Sequence, residues 1–96
     1  MADFYQRRDL SAVTSFTDPD SKFEFLFEGY EQLVFNESNV AMEVSFDGVN
    51  VHARCAPTGP SSVIHWSEHI RKVVFVRREA GTGGGAKMVQ VLATTR

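Results

Sequence analysis

The stretch Val40-Ala41-Met42-Glu43-Val44-Ser45-Phe46-Asp47-Gly48-Val49-Asn50-Val51-His52-Ala53-Arg54-Cys55 decides the fold. Apolar residues recur at every second position on both sides of Asp47-Gly48. A period of two puts them on one face of a pleated strand and their neighbours on the other. Asp-Gly between two such runs is a hairpin signal, because a type I′ turn needs positive φ at both central residues. A two-residue loop pairs Phe46 with Val49, Val44 with Val51, Met42 with Ala53 and Val40 with Cys55, all on the core face. Ser45–Asn50, Glu43–His52 and Ala41–Arg54 fall on the opposite face. A slip of one residue would exchange the faces.

Working towards the N-terminus, Asn36-Glu37-Ser38-Asn39 reads as a polar four-residue loop. It pairs Phe35 with Val40 and Leu33 with Met42. Strands 31–35, 40–46 and 49–55 are thus expected as an antiparallel meander with Leu33 and Phe35 inward. Phe23, Phe25 and Phe27 alternate with Lys22, Glu24 and Leu26 in an earlier strand that Gly29 closes. Residues 12–17 are expected as a short strand stopped by Asp18-Pro19-Asp20, a turn signal. Residues 1–11 carry charge and two aromatics without periodicity and read as an N-terminal arm, either frayed or docking.

Towards the C-terminus, residues 56–62 are a loop. Residues 63–70 fit either a short strand or one helical turn. Residues 71–78 and 87–94 read as strands around a glycine-rich connection, Gly81-Thr82-Gly83-Gly84-Gly85. One register pairs Val76 with Val89 and Val74 with Val91 as a final hairpin. The opposite face then holds Val73, Phe75, Met88 and Leu92, interrupted by Gln90. Antiparallel sheets commonly leave one face solvated and polar, so this second apolar face needs a cover. The candidate interface is therefore Val73, Phe75, Met88 and Leu92, together with the arm residues Phe4, Tyr5, Arg7 and Arg8, since aromatics and arginine anchor interfaces. The cover could be a second copy, a larger shell, or residues 1–11 or 63–70 of the same chain.

Composition agrees with β structure. The 96 residues include twelve Val and eight Phe against four Leu and two Ile, and Val and Phe favour strands. The expected fold is all-β: one antiparallel β-sandwich or small barrel, jelly-roll-like, of six to eight short strands over residues 12–96. A net charge of −2 offers no basic footprint for nucleic acid. One cysteine, Cys55, precludes an internal disulfide. No apolar run nears the roughly 20 residues of a membrane helix. The first residues lack the apolar core of a signal peptide, so synthesis in the cytoplasm is expected.

Three patterns resemble active-site chemistry. Gly81-Thr82-Gly83-Gly84-Gly85-Ala86-Lys87 resembles a phosphate loop, but Ala86 and Met88 stand where Gly and Ser or Thr are required. The following residues also alternate like a strand, where that loop needs a helix. His65-Trp66-Ser67-Glu68-His69 matches a zinc-peptidase spacing, which requires a helix to bring His65 and His69 onto one face. The segment is short and no large domain surrounds it. Cys55 and His52 on one strand point to opposite faces, and Glu43 opposite His52 is a cross-strand pair. No catalytic, cofactor or metal residue is assigned, and no enzymatic activity is expected.

The run Glu43-Val44-Ser45-Phe46-Asp47-Gly48-Val49-Asn50-Val51 resembles a phrase of small virion proteins of tailed bacteriophages. So does Ile70-Arg71-Lys72-Val73-Val74-Phe75-Val76-Arg77-Arg78 followed by Val89-Gln90-Val91-Leu92-Ala93. The resemblance covers roughly the C-terminal half and is one of style; residues 1–30 do not contribute. It implies a β-sandwich in the capsid, neck or tail, above all a capsid decoration protein. The implied partner is the major capsid protein or another virion protein, in homo-oligomers or many copies, and the location is the virion. A rival expectation is a small intracellular inhibitor or immunity protein acting by surface contact. A small hydrolase is a third, for which the chain has few residues to build a deep pocket.

Overall fold

A computed structural model describes residues 3–57, 59, 62–67, 70–80 and 85–95. Among them the strands are β1 (Asp3–Asp9), β2 (Lys22–Gly29), β3 (Glu31–Asn36), β4 (Met42–Ser45), β5 (Ala53–Cys55), β6 (Val63–Trp66), β7 (Arg71–Arg78) and β8 (Met88–Thr94). They form two four-stranded antiparallel sheets, ordered β1-β8-β3-β6 and β2-β7-β4-β5. The fold is the expected all-β sandwich, and it is not a closed barrel. Between the sheets lie Phe23, Phe25, Val34, Met42, Val44, Cys55, Val74, Val76, Val89, Val91 and Ala93, capped by Leu10 and Val13.

The alternation in β2 does what its pattern predicts: Phe23 and Phe25 are buried, and Phe27 packs partly against the core. The β2–β7 register shifts between Glu24 and Gly29, and Leu26 within that irregularity is 96% exposed. The expected strand at 12–17 is not formed. Asp18 Oδ1 accepts the Asp20 N–H at 2.9 Å and caps a 3-10 turn over Pro19–Ser21. Val13 and Phe16 are nevertheless buried, as plugs on an irregular segment. The Val13 carbonyl accepts the Arg78 N–H at 3.0 Å.

Most of the expected arm is a strand. Asp3–Asp9 pairs with β8 from Asp3↔Thr94 to Asp9↔Met88. Its side chains lack an apolar period because its inward face uses Arg8 as a covering group. The guanidinium lies 4.1 Å from the Phe23 ring centroid and donates to the Lys22 carbonyl at 2.6 Å. A stacked, hydrogen-bonded guanidinium buries apolar surface that a valine would otherwise cover.

The three-stranded meander is corrected. β3 belongs to the other sheet, between β8 and β6, so Leu33–Met42 and Phe35–Val40 are not pairs. Asn36 explains the crossing. It is only 1% exposed. Its Nδ2 donates to the carbonyls of Val40 at 2.8 Å and Cys55 at 3.0 Å. Its Oδ1 accepts the Ser38 N–H at 2.9 Å and the Ser38 hydroxyl at 2.7 Å. In the polar run read as a hairpin loop, Asn36 and Ser38 are buried while Glu37 and Asn39 are exposed, and the run carries the chain between layers. The strand's facing changes with it. Gln32, Val34 and Asn36 point inward and Leu33 and Phe35 outward. Gln32 is satisfied by the Gly29 carbonyl at 2.7 Å and by Arg71 Nη1 at 3.2 Å.

β4 and β5 do form a hairpin, but two residues out of the expected register: Met42↔Cys55, Glu43↔Arg54 and Val44↔Ala53. A shift of two preserves the facing, so Met42, Val44 and Cys55 are in the core as expected. The two-residue turn and the Val44–Val51 pair are replaced by a loop over 46–52. Val49 and Val51, expected inside, are 76% and 45% exposed. Asp47 reorganises this loop: its Oδ1 accepts the N–H groups of Val49 and Asn50 at 2.8 and 2.9 Å. Gly48 has the positive φ, +78°, that its position calls for.

The final hairpin is likewise not formed. β7 and β8 lie in opposite sheets. Val74, Val76, Val89 and Val91 are all fully buried, but they meet across the core and not along a ladder. Residues 63–66 take the strand alternative.

Candidate functional site

The outer face of the β1-β8-β3-β6 sheet is the strongest candidate. Its register aligns Tyr5, Leu92, Leu33 and His65 in one row across all four strands, and Arg7, Gln90, Phe35 and Val63 in the next. Met88 continues the apolar stripe on β8. Tyr5 is 55% and Val63 41% exposed, and Leu33, Phe35, Met88 and Leu92 are partly exposed. An outer sheet face usually carries polar side chains, yet this one is apolar along its centre.

Its polar groups are tied into the rim. Arg7 Nε donates to Glu37 Oε2 at 2.8 Å, and Gln90 Nε2 donates to the same oxygen at 2.9 Å. These bonds hold the Glu37 carboxyl below its ordinary range, and the carboxylate in turn raises Arg7. On the other side, His65 Nε2 stands 3.1 Å from Glu31 Oε2. Asp9, at the end of β1, accepts the backbone N–H groups of Lys87 and Ser11, which lower its pKa.

On the side of the first row away from the second, next to the Glu31–Thr94 pair, lies a shallow hollow of about 150 Å³, bordered by Glu31, Leu33, His65, Leu92 and Thr94. Gln32 and Ala93 point into the core, so only their backbone floors it. Small-molecule sites usually span roughly 300–1,000 Å³. The hollow suits one inserted side chain of a partner better than a whole substrate.

The eight residues proposed from sequence are not brought together. Tyr5, Arg7, Met88 and Leu92 share this face. Phe4 and Arg8 point inward, Phe4 against Phe25 at 4.9 Å and Arg8 over Phe23. Val73 and Phe75 lie on the outer face of the other sheet, where Gly48 of the 46–52 loop rests against the Phe75 ring. Around them run the ion pairs Arg77–Glu43 and Arg54–Glu79, each at 2.8 Å. Sequence reasoning missed Leu33, Phe35 and Val63. Leu33 and Phe35 were assigned to the core, and only the knowledge that Gln32 and Asn36 are satisfied inside would have reversed that.

The motifs that resemble chemistry are placed as follows. Lys87 is buried, its Nζ donating to the Gly85 carbonyl at 3.0 Å, and a strand follows it where a phosphate loop needs a helix. Gly81–Gly84 lie outside the described residues. His65 sits on β6, and Glu68 and His69 of the zinc-like spacing also lie outside the described residues. Cys55 is buried, its Sγ 2.9 Å from the Ser62 carbonyl, and desolvation raises its thiol pKa. His52 stacks on Phe46 in the exposed loop, so the two do not form a nucleophile–base pair. Among the described residues no three His, Cys, Asp or Glu side chains cluster as metal ligands, and no helix is long and apolar enough to cross a membrane. Comparison of the chain with protein-family models, with curated proteins and with solved structures finds no match.

Proposed function

We propose that this chain is a structural protein of a tailed-phage particle, acting as a capsid decoration protein, and that it docks through the outer face of the β1-β8-β3-β6 sheet. The observation that carries the docking part is the apolar row Tyr5–Leu92–Leu33 with Phe35, Val63 and Met88 beside it, on a sheet whose other face already covers the core. Such a face gains free energy when a partner covers it. The virion part rests on the resemblance of the C-terminal half to small phage structural proteins.

The size of the face fits a role in an array. A seven-residue strand spans about 23 Å, and four strands about 19 Å. The face therefore offers roughly 450 Å² to a partner. Stable pairwise complexes use nearer 800 Å² per side, so one such contact is weak and its occupancy benefits from many equivalent sites and neighbouring copies.

Mass spectrometry of purified particles tests this reading. Particles are raised from the phage carrying the gene and banded by density. The chain is expected in the particle band at a fixed high ratio to the major capsid protein. Its recovery solely from the soluble fraction, in a one-to-one complex with an enzyme, would overturn the virion assignment in favour of an inhibitor.

A further inference from the structure

Among the described strands, β1, β6, β2 and β5 stand at the sheet edges. Three of them are blunted. β5 is three residues long and β6 four. β2 carries the register shift between Glu24 and Gly29. Shortness and irregularity keep a sheet edge from pairing with another chain. β1 has neither. Its seven residues run in unbroken register against β8, without proline or lysine. Tyr5, Gln6, Arg7 and Asp9 are exposed. Gln6 is exposed although it shares the inward parity of Phe4 and Arg8, because no described strand lies beyond β1. Its charges do not close the edge. Arg7 is paired with Glu37, Arg8 is turned inward over Phe23, and the Asp9 carboxylate accepts the Ser11 and Lys87 N–H groups.

The backbone direction of this edge follows from one bond. The Leu10 N–H donates to the Lys87 carbonyl at 2.8 Å. In an antiparallel ladder the bonded groups recur at every second residue, so Phe4, Gln6 and Arg8 turn their N–H and C=O groups to β8. Asp3, Tyr5, Arg7 and Asp9 turn theirs outward. Such an edge is complementary to itself. Set antiparallel about a two-fold axis at Gln6, Tyr5 pairs with Arg7 of the second copy and Asp3 with its Asp9. All the outward groups are then used, in about eight backbone bonds. Tyr5 meets the aliphatic stem of the other Arg7, whose guanidinium Glu37 holds. Gln6 faces Gln6, and each amide can donate to the other's oxygen. A slip of two residues one way sets Arg7 against Arg7. The other way leaves the Asp9 backbone unpaired among the described residues.

We infer that β1 is an assembly edge that takes a second copy of this chain, joining two four-stranded sheets into one of eight strands. The outer faces join with them. The row Tyr5–Leu92–Leu33 of one copy runs on into Arg7, Gln90 and Phe35 of the other. The face grows from roughly 450 to roughly 900 Å², past the about 800 Å² per side that stable complexes use. A foreign strand on the same edge would extend the sheet without doubling the face, so the area favours a second copy. The pairing rests on the β1 edge alone, and only its consequence for docking rests on the function proposed above.

The test is sedimentation equilibrium of the full chain alone, from about 1 to about 200 μM, a range that spans the affinities of a contact this small. The mass should double across that range. Arg7→Pro removes one outward N–H and no bond to β8, and it should stay monomeric with a urea midpoint close to that of the wild type. Gln6→Cys reads the register and decides the matter even if the proline variant does not fold. A non-hydrogen-bonded pair on the two-fold axis sets its Cα atoms about 4.5 Å apart, within disulfide reach. Mild oxidation of the native protein should therefore link two copies through Cys at position 6, with the buried Cys55 taking no part. Gln90→Cys, in the middle of the same sheet, should not link. A wild-type chain that is monomeric throughout would overturn the inference. So would an Arg7→Pro variant that dimerises as the wild type does, or equal linking through positions 6 and 90. No particle is present in these measurements, so their failure is distinct from a failure of docking, which incorporation into particles reads.

Discussion

Asn36→Ala separates the observed topology from the meander its sequence suggests. In the sandwich, truncating this side chain removes the amide that donates to the Val40 and Cys55 carbonyls and the oxygen that accepts the Ser38 N–H and hydroxyl. The Val40 carbonyl keeps the Ser38 hydroxyl at 2.7 Å. The Cys55 carbonyl and the Ser38 N–H lose their side-chain partner in a region closed to solvent. Each stranded buried group costs about 1–3 kcal/mol, so a total loss of about 3 kcal/mol is expected. A domain of this size has roughly 5–14 kcal/mol of stability. With a urea m-value of about 1 kcal/mol/M, the unfolding midpoint should fall by about 3 M at unchanged m. Had residues 36–39 been an exposed hairpin loop, the change would stay within about 0.5 kcal/mol. Urea denaturation followed by tryptophan fluorescence reads the difference. A midpoint shift under about 0.5 M would refute the cross-sheet role of Asn36.

Gly48→Val should destabilise by about 1–2 kcal/mol, since a β-branched residue resists positive φ and its Cβ would press on Phe75; thermal melts would show it, with Gly48→Asn milder. Asp47 makes the loop tip acid-sensitive. Its folded pKa is depressed, so its contribution is fully present above the ordinary carboxylate pKa near 4 and is lost as pH falls through the lower folded value. Val49 and Asn50 amide shifts should therefore begin to move only below about pH 4, and Asp47→Asn should abolish that transition. Cys55, buried with a raised thiol pKa, should resist a thiol reagent in the native state and react at the rate of unfolding; fast native labelling would contradict its placement. Leu92→Asp should change stability by less than about 1 kcal/mol, because it sits on an outer face, while abolishing attachment in a co-sedimentation assay.

The class of fold was legible because strand periodicity is local. The alternation of Phe23 with Phe25, and of Met42 with Val44, is imposed by the pleat and survives any topology. Even the two-residue error in the β4–β5 register left these side chains correctly facing. Sheet membership was not legible. Whether the strand after β3, or the one after β7, joins the same sheet or the opposite one depends on non-local satisfaction, such as Asn36 reaching the Cys55 carbonyl. Arg8 over Phe23 similarly made β1 look like an arm, since a guanidinium serving as an apolar cover breaks the period. The candidate site was half legible. The excess of apolar residues at Met88 and Leu92 pointed to a second apolar face. Its partners Leu33 and Phe35 were hidden by the choice of which parity of β3 faced the core. Val73 and Phe75 were right as outward residues, but a loop of the same chain lies over Phe75.

The proposed attachment of this chain to a phage particle runs through the outer face of the β1-β8-β3-β6 sheet. The most direct measurement is the copy number per particle, by quantitative mass spectrometry, for the wild-type chain and for a Tyr5→Asp/Leu92→Asp variant shown by urea denaturation to be folded. The wild type should band with particles in a fixed high ratio to the capsid protein, and the variant should remain in the supernatant. Equal incorporation of the two would rule out docking through this face, and absence of the wild-type chain from particles would rule out the virion role.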